Sequence, residues 1–216
     1  MRARNITLLV GLLISLLPME AAAQASYPQT VSVMQIALKR ELLAHARYVA
    51  YAAKAREENY PHIAALAIAL AASESIHARN FQNVLRALGQ VPSVEIPAVA
   101  VGDTRTNLHN ASTAELEEID TRYSQYLAWI RPENCHEAIT ALTHAWQAES
   151  QHRDLVKELI SGSGVLFGVL ARTIEGTPVE YFVCDACGST LPELPRDSCP
   201  VCAGPVSRYS RVDTGT

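Results

Sequence analysis

Two helix-like stretches of this chain each carry a glutamate and, three residues later, a histidine on an otherwise apolar stripe, and this constrains the fold more than any other feature. In the first, Ile63, Ala67, Leu70, Glu74, His77, Phe81, Val84 and Leu88 follow one another at alternating steps of four and three. In the second, Ala138, Leu142, Ala145, Glu149, His152, Val156 and Leu159 do the same. Such spacing is the buried seam of a packed helix. A seam carboxylate is costly unless a partner offsets its desolvation. The i, i+3 spacing puts both polar groups on one helix face, where they can converge on a common partner.

The pattern is duplicated. Glu41 precedes Glu74 by 33 residues and Glu115 precedes Glu149 by 34, while Tyr48 and Tyr123 follow the leading glutamates by 7 and 8. One residue inserted in the third helix, just after Glu115, accounts for both offsets and predicts a π-bulge there, since such bulges absorb single insertions. Four seam carboxylates facing one another could not all ionise without cations between them. Two metal ions solve the problem, with oxygen ligands from all four helices and an imidazole from each Glu-x-x-His pair, the di-iron carboxylate arrangement of ferritin-like bundles. One Glu-x-x-His by itself usually marks a solvated face; two on matched seams, each preceded by a glutamate at matched distance, point to metal. His45, four residues after Glu41, has no counterpart in the repeat and reads as a satisfied core histidine rather than a ligand. His62, His109, His136 and His144 read as surface or local structure.

Punctuation divides residues 31–160 into four helical blocks, with breaks at Tyr60-Pro61, from Gly89 to about Thr104, at Arg131-Pro132 and at 161–164. Two short links and one longer, Pro-containing one predict an all-α ferritin-like four-helix bundle with one long crossover, over residues 26–164. Residues 1–25 read as a signal peptide: Arg2 and Arg4, then an apolar run from Ile6 to Leu17, then the small-residue stretch Ala23-Gln24-Ala25. The run is shorter than the ~20 residues that span a bilayer core. Export, to a bacterial periplasm, is the expectation. A net charge of -4 and the lack of any Lys/Arg run give nothing to track a phosphate backbone, so nucleic acid is not an expected partner.

After an apolar connector over 165–179, residues 180–216 are rich in turns and hold Cys184-x-x-Cys187 and Cys199-x-x-Cys202. Four thiolates on two tight turns suit one tetrahedral metal, and so short a segment needs a staple. Iron or zinc satisfies the same four sulfurs, and two disulfides are the alternative in an oxidising compartment. Cys135 reads as an ordinary thiol.

Glu41-Leu-Leu-Ala-His-Ala-Arg-Tyr48, Glu74-Ser-Ile-His77, Glu115-Leu-Glu-Glu118 with Tyr123, and Glu149-Ser-Gln-His152 stand in the order and spacing of the ligand motifs of the rubrerythrin family. With the cysteine pairs, this resemblance spans nearly all of the chain after residue 25. It implies Glu41 and Glu115 as terminal ligands of the two irons, Glu74 and Glu149 as bridges, and His152 on the second iron. It implies Glu118 as the extra carboxylate that exchanges with His77 on the first iron, and Tyr48 and Tyr123 as groups hydrogen-bonded to ligand carboxylates. The cysteine module is similar to a rubredoxin centre with one iron, although its inter-pair loop is one residue short and Ser189 stands where an aromatic often follows Cys-Gly.

The expected function is reduction of hydrogen peroxide at the diiron site, with electrons passed one at a time through the four-cysteine iron from a redox donor protein. A ferroxidase that uses only the bundle and a non-enzymatic metal-binding or sensing protein are the rivals. The resemblance implies a homodimer.

Overall fold

The computed structural model describes residues 26–161 and 180–213. The expected signal segment and the expected connector lie outside the described residues. Helix α1 (Pro28–Glu57) and helix α2 (Pro61–Ala87) form the first antiparallel hairpin. Its corner follows from the sequence. Asn59 adopts a left-handed φ of 63°, and the Asn59 and Tyr60 amides donate back to Arg56 O and Ala55 O, closing the end of α1. Pro61 then opens α2, where its missing N–H costs nothing. Gly89, at φ 75°, closes α2 in the same way, its amide on Arg86 O and that of Gln90 on Leu85 O.

Irregular backbone then crosses the bundle to α3 (Thr104–Glu117). The crossover is pinned at its far end by Asn107, whose side-chain amide both donates to Gly102 O and accepts from Gly102 N. Glu58 accepts the Thr104 amide and so caps α3 from the preceding hairpin. The third rod of the bundle continues through a π-turn (Glu118–Arg122) into α4 (Tyr123–Ile130) and a 3-10 turn (Arg131–Glu133). The Tyr123 amide bonds to Glu118 O, five residues back. The bulge expected from the spacing offset therefore lies between Glu115 and Tyr123. Helix α5 (His136–Ser161) packs against α3 and completes four rods with one long crossover.

Both seams are buried through the middle of the bundle, Leu70, Phe81, Ala138, Leu142, Ala145 and Val156 being at most 1% exposed. Two apolar clusters flank the middle of the bundle. One holds Met34, Leu38, Phe81, Leu85, Tyr123, Leu127 and Leu142; the other holds Tyr48, Tyr51, Leu66, Leu70 and Val156. The seam glutamates and histidines lie between them, in a cross-section that the aliphatic packing leaves to polar groups.

Glu133 closes the other end of the bundle. Its two carboxylate oxygens accept the Gln29 and Thr30 amides at 2.8 and 2.7 Å, capping α1 from 103 residues away. Burial opposes its ionisation, but these hydrogen bonds outweigh it and hold the carboxyl below its ordinary value. The contribution is complete above the unfolded carboxyl pKa of 4.5 and fades as pH falls through the depressed folded value. Glu133→Ala is expected to cost about 1 kcal/mol in denaturant unfolding at neutral pH, and less in acid.

The C-terminal module is a three-stranded antiparallel sheet, ordered β2-β1-β3, from β1 (Phe182–Cys184), β2 (Thr190–Leu191) and β3 (Tyr209–Arg211). Val183 pairs with Thr190 on one side and Ser210 on the other.

Candidate metal centres

Glu41 of α1, Glu74 and His77 of α2 and Glu149 of α5 converge in the flanked cross-section, with one ligand atom from each within 4.8 Å of the others. All four are at most 5% exposed, and His152 is fully buried. His77 Nδ1 faces Glu149 at 3.1 Å, Glu74 at 3.2 Å and Glu41 at 3.6 Å. His152 Nδ1 faces Glu149 at 3.0 Å and Glu74 at 3.4 Å. Glu74 and Glu149 thus each touch both imidazoles, the placement a bridging carboxylate needs. Glu115 lies on α3, its side chain outside the described residues.

The electrostatics state the same need for cations. Burial, reinforced by Glu74 and Glu149, pushes the Glu41 carboxyl well above its ordinary range despite the hydrogen bond to His77. Burial and Glu149 oppose ionisation of Glu74, yet hydrogen bonds from both histidines outweigh them and lower it. Burial by itself would strip the proton from each imidazole. The surrounding carboxylates reverse this, raising His77 well above its ordinary value and His152 to about 9. Protons and divalent cations compete for such a nest, and two cations suit three described carboxylates and two imidazoles.

The outer nitrogens of both rings are held by the cysteine module. His77 Nε2 lies 3.2 Å from Cys187 O, which can only accept. Nε2 therefore carries a proton, and Nδ1, which donates to the carboxylates, is the nitrogen that would give up its proton to a cation. His152 Nε2 lies 3.4 Å from Thr190 Oγ1, whose own proton goes to Gly188 O at 3.0 Å. Ser73 also donates to Gly188 O, at 2.6 Å. Around these contacts Asn80 donates to Ala186 O, Arg79 to Asp185 O, and the Thr190 amide to Gln151. Gly188 has φ 80°, and a Cβ there would lie 2.4 Å from His77 Nε2 and 2.6 Å from Ser73 Oγ. The module is thus a wall of the carboxylate site.

Within the module Cys187 Sγ and Cys199 Sγ are 3.5 Å apart and Cys184 Sγ and Cys202 Sγ 3.9 Å. All four thiols are free, so the disulfide alternative does not hold. Four sulfurs about 2.3 Å from a tetrahedral metal would be about 3.8 Å apart. Backbone amides point at the sulfurs: those of Ala186 and Cys187 at Cys184, that of Ser189 at Cys187, those of Val201 and Cys202 at Cys199. A hydrogen bond from the Cys187 thiol, supported by these amides against burial, draws Cys184 down to about 5. A thiolate is already favoured where a metal requires one.

Tyr123 donates to Glu41 and is buried. Tyr48 is buried beside the same cluster and lines, with Arg40, Arg47, Glu41, Glu74, Glu118 and Glu149, a small cavity opening on it. Glu118 is bound by the Arg40 guanidinium through Nε and Nη2 at the cavity wall, and the four-residue cluster contains His77 instead. His45 Nδ1 is satisfied by Ala71 O at 2.8 Å. Sequence reasoning did not single out Arg40, Ser73, Gly188 or Thr190. Only Gly188 had a local signal, the glycine after the second cysteine.

The family model described as Rubrerythrin matches residues 32–160. Rubrerythrin-2 of Clostridium acetobutylicum is 32% identical over 176 residues, covering 80% of this chain and 91% of its own length. Nigerythrin of Nitratidesulfovibrio vulgaris is 27% identical over 196 residues, with 89% and 91% covered. The solved structure of nigerythrin in its fully reduced, all-ferrous state superposes with a TM-score of 0.70 at 24% identity, covering 96% of this chain and all of that one. The fold agrees with that of the nigerythrin structure. A rubrerythrin-type diiron site with Glu and His ligands and a four-cysteine site are present, and the chain belongs to the rubrerythrin family.

Proposed function

We propose that this protein reduces hydrogen peroxide at the diiron site, drawing electrons through an iron held by Cys184, Cys187, Cys199 and Cys202. The observation that carries the reading is the contact between the two centres: Cys187, itself a thiolate ligand, places its carbonyl on His77. A ferroxidase has no use for such a junction. The ligands would be Glu41, Glu74, His77, Glu115, Glu149 and His152, with Glu118 available from the cavity wall. When bound, the irons supply the two electrons that cleave the oxygen-oxygen bond.

The chain's own groups have definite tasks. Tyr123 holds one oxygen of Glu41 and fixes its orientation. Burial and neighbouring carboxylates raise the Tyr123 hydroxyl well above its ordinary value, so it stays a donor. The Cys187 carbonyl and Thr190 hydroxyl keep the imidazole Nδ1 atoms aimed inward. Arg40 keeps Glu118 at the cavity mouth, where a carboxylate can exchange protons with an entering molecule. The cavity, about 20 Å3, has room for a molecule the size of water beside Glu41, Glu74 and Glu149.

The test is peroxide consumption by the iron-loaded, chemically reduced protein. Glu149→Ala removes a carboxylate that contacts both histidines and is expected to lower the rate at least about a hundredfold while helix content is retained. An equal rate in both proteins would sink the proposal. Iron(II) oxidation that survives Cys184→Ser with Cys187→Ser would favour ferroxidase activity instead. The proposal includes export to the periplasm with removal of residues 1–25, checked by N-terminal sequencing of protein from its native compartment. It also includes a homodimer, checked by sedimentation, and a separate redox protein as donor.

A further inference from the structure

One pair of buried hydroxyls in the cysteine module is directed at a sulfur. Tyr209, which starts β3, is 8% exposed and donates its phenolic proton to Cys199 Sγ at 3.2 Å. Ser189 Oγ lies 2.8 Å from the Tyr209 hydroxyl and is fully buried. A phenol has one proton, and here it is directed at sulfur, so Ser189 is the donor to the phenolic oxygen. The result is a directed chain, Ser189 O–H to Tyr209 O–H to Cys199 Sγ, in which each bond polarises the next.

We propose that Ser189 and Tyr209 are positioning residues that raise the reduction potential of the four-cysteine iron through Cys199. The inference rests on the reading of that centre as a one-electron iron site. Adding an electron takes the iron from ferric to ferrous and makes the tetrathiolate unit more negative by one charge. A donor aimed at a thiolate stabilises the more negative state more, so the potential rises with hydrogen bonding to the sulfurs. Cys199 already receives the Val201 and Cys202 amides. The phenol adds a third donor from a different element, inside a site with little water to screen it. Ser189 also ties this sulfur to the docking face, because it directly follows Gly188, whose carbonyl accepts from Ser73. The sequence departure at position 189 thereby acquires a use: a small hydroxyl leaves room for the phenol and donates to it.

The experiment is a spectroelectrochemical titration of the iron-loaded full-length protein, following the thiolate-to-iron absorption bands. Tyr209→Phe keeps the ring and removes the donor. It is expected to lower the equilibrium constant for reduction about tenfold, which is 59 mV toward negative potential for one electron. Ser189→Ala leaves the phenol in place and is expected to move the potential the same way by less. If Tyr209→Phe fails to hold iron, the serine variant decides alone. Intact bands with an unchanged or more positive potential overturn the relay and leave the peroxidase reading standing. Absence of thiolate-to-iron bands in the wild-type protein overturns the iron assignment, and the relay with it.

Discussion

Gly188→Ala is expected to detach the cysteine module from the bundle and to lower donor-dependent peroxide turnover about a hundredfold. Two costs act together. A left-handed φ of 80° penalises any residue with a Cβ by about 1–2 kcal/mol. The new methyl would also lie 2.4 Å from His77 Nε2 and 2.6 Å from Ser73 Oγ, side chains within a buried helix seam that have little room to retreat. Ala203 provides the internal comparison. It occupies the matching position of the second cysteine turn, four residues after Cys199 as Gly188 is four after Cys184, and it also has a positive φ, of 56°. An exposed position accepts that methyl. Turnover with a donor, set against reduction of the bundle site by a small chemical reductant, separates the two effects: the first falls and the second persists. Wild-type delivery of electrons by Gly188→Ala would mean that the module works from a different position.

Removal of metal from the four cysteines is expected to melt residues 180–213 while α1 and α2 remain folded. The module's sheet has strands of two and three residues, and the buried part of its core is Cys184, Cys187, Cys199 and Tyr209, with only partly buried apolar side chains around them. Binding of a structural metal by such a set contributes on the order of 10 kcal/mol, far more than so few strand pairs can replace. Hydrogen exchange should show the amides of Cys184, Gly188, Cys199 and Ala203, each bonded to backbone within a turn or strand end, passing from protected to exposed on chelation. The α2 amides near Leu70 and Phe81 should keep their protection. Persistent protection of the turns after metal loss would contradict the dependence.

The bundle was legible in the sequence because its information is periodic. Every four-three step from Ile63 to Phe81 lands on a buried position, and the helix breaks at Tyr60-Pro61 and Arg131-Pro132 carry their own turn chemistry. The π-turn was legible for a different reason: a duplicated pattern shows an insertion as a mismatch of one. The junction between the modules was not legible. Its bonds run from side chains of α2 to backbone carbonyls of the cysteine turn and from side chains of α5 to the Thr190 amide and hydroxyl, and a backbone group carries no mark in the sequence. Arg40 was missed likewise, since its partner Glu118 is 78 residues distant and no periodicity connects them. Tyr209 falls between these cases. A tyrosine in a small cysteine core is an ordinary packing residue until the direction of its hydroxyl is known.

The π-turn at Glu118–Arg122 has a consequence for how this protein can change. A helical residue advances the chain by 100°. A single deletion in a regular helix therefore turns everything beyond it by that angle and takes its buried face off the core. The π-turn is the exception, because its wide turn takes up one extra residue and leaves the helix beyond it facing as it would without that residue. Loss of one residue from Glu118–Arg122 is expected to restore a regular helix with Tyr123 still turned toward Glu41, and with Leu127 and Ile130 still in the apolar cluster they share with Phe81 and Leu142. This makes the irregular segment the one place in the bundle's third rod where the chain can change length by one residue without unpacking the helices on either side of it.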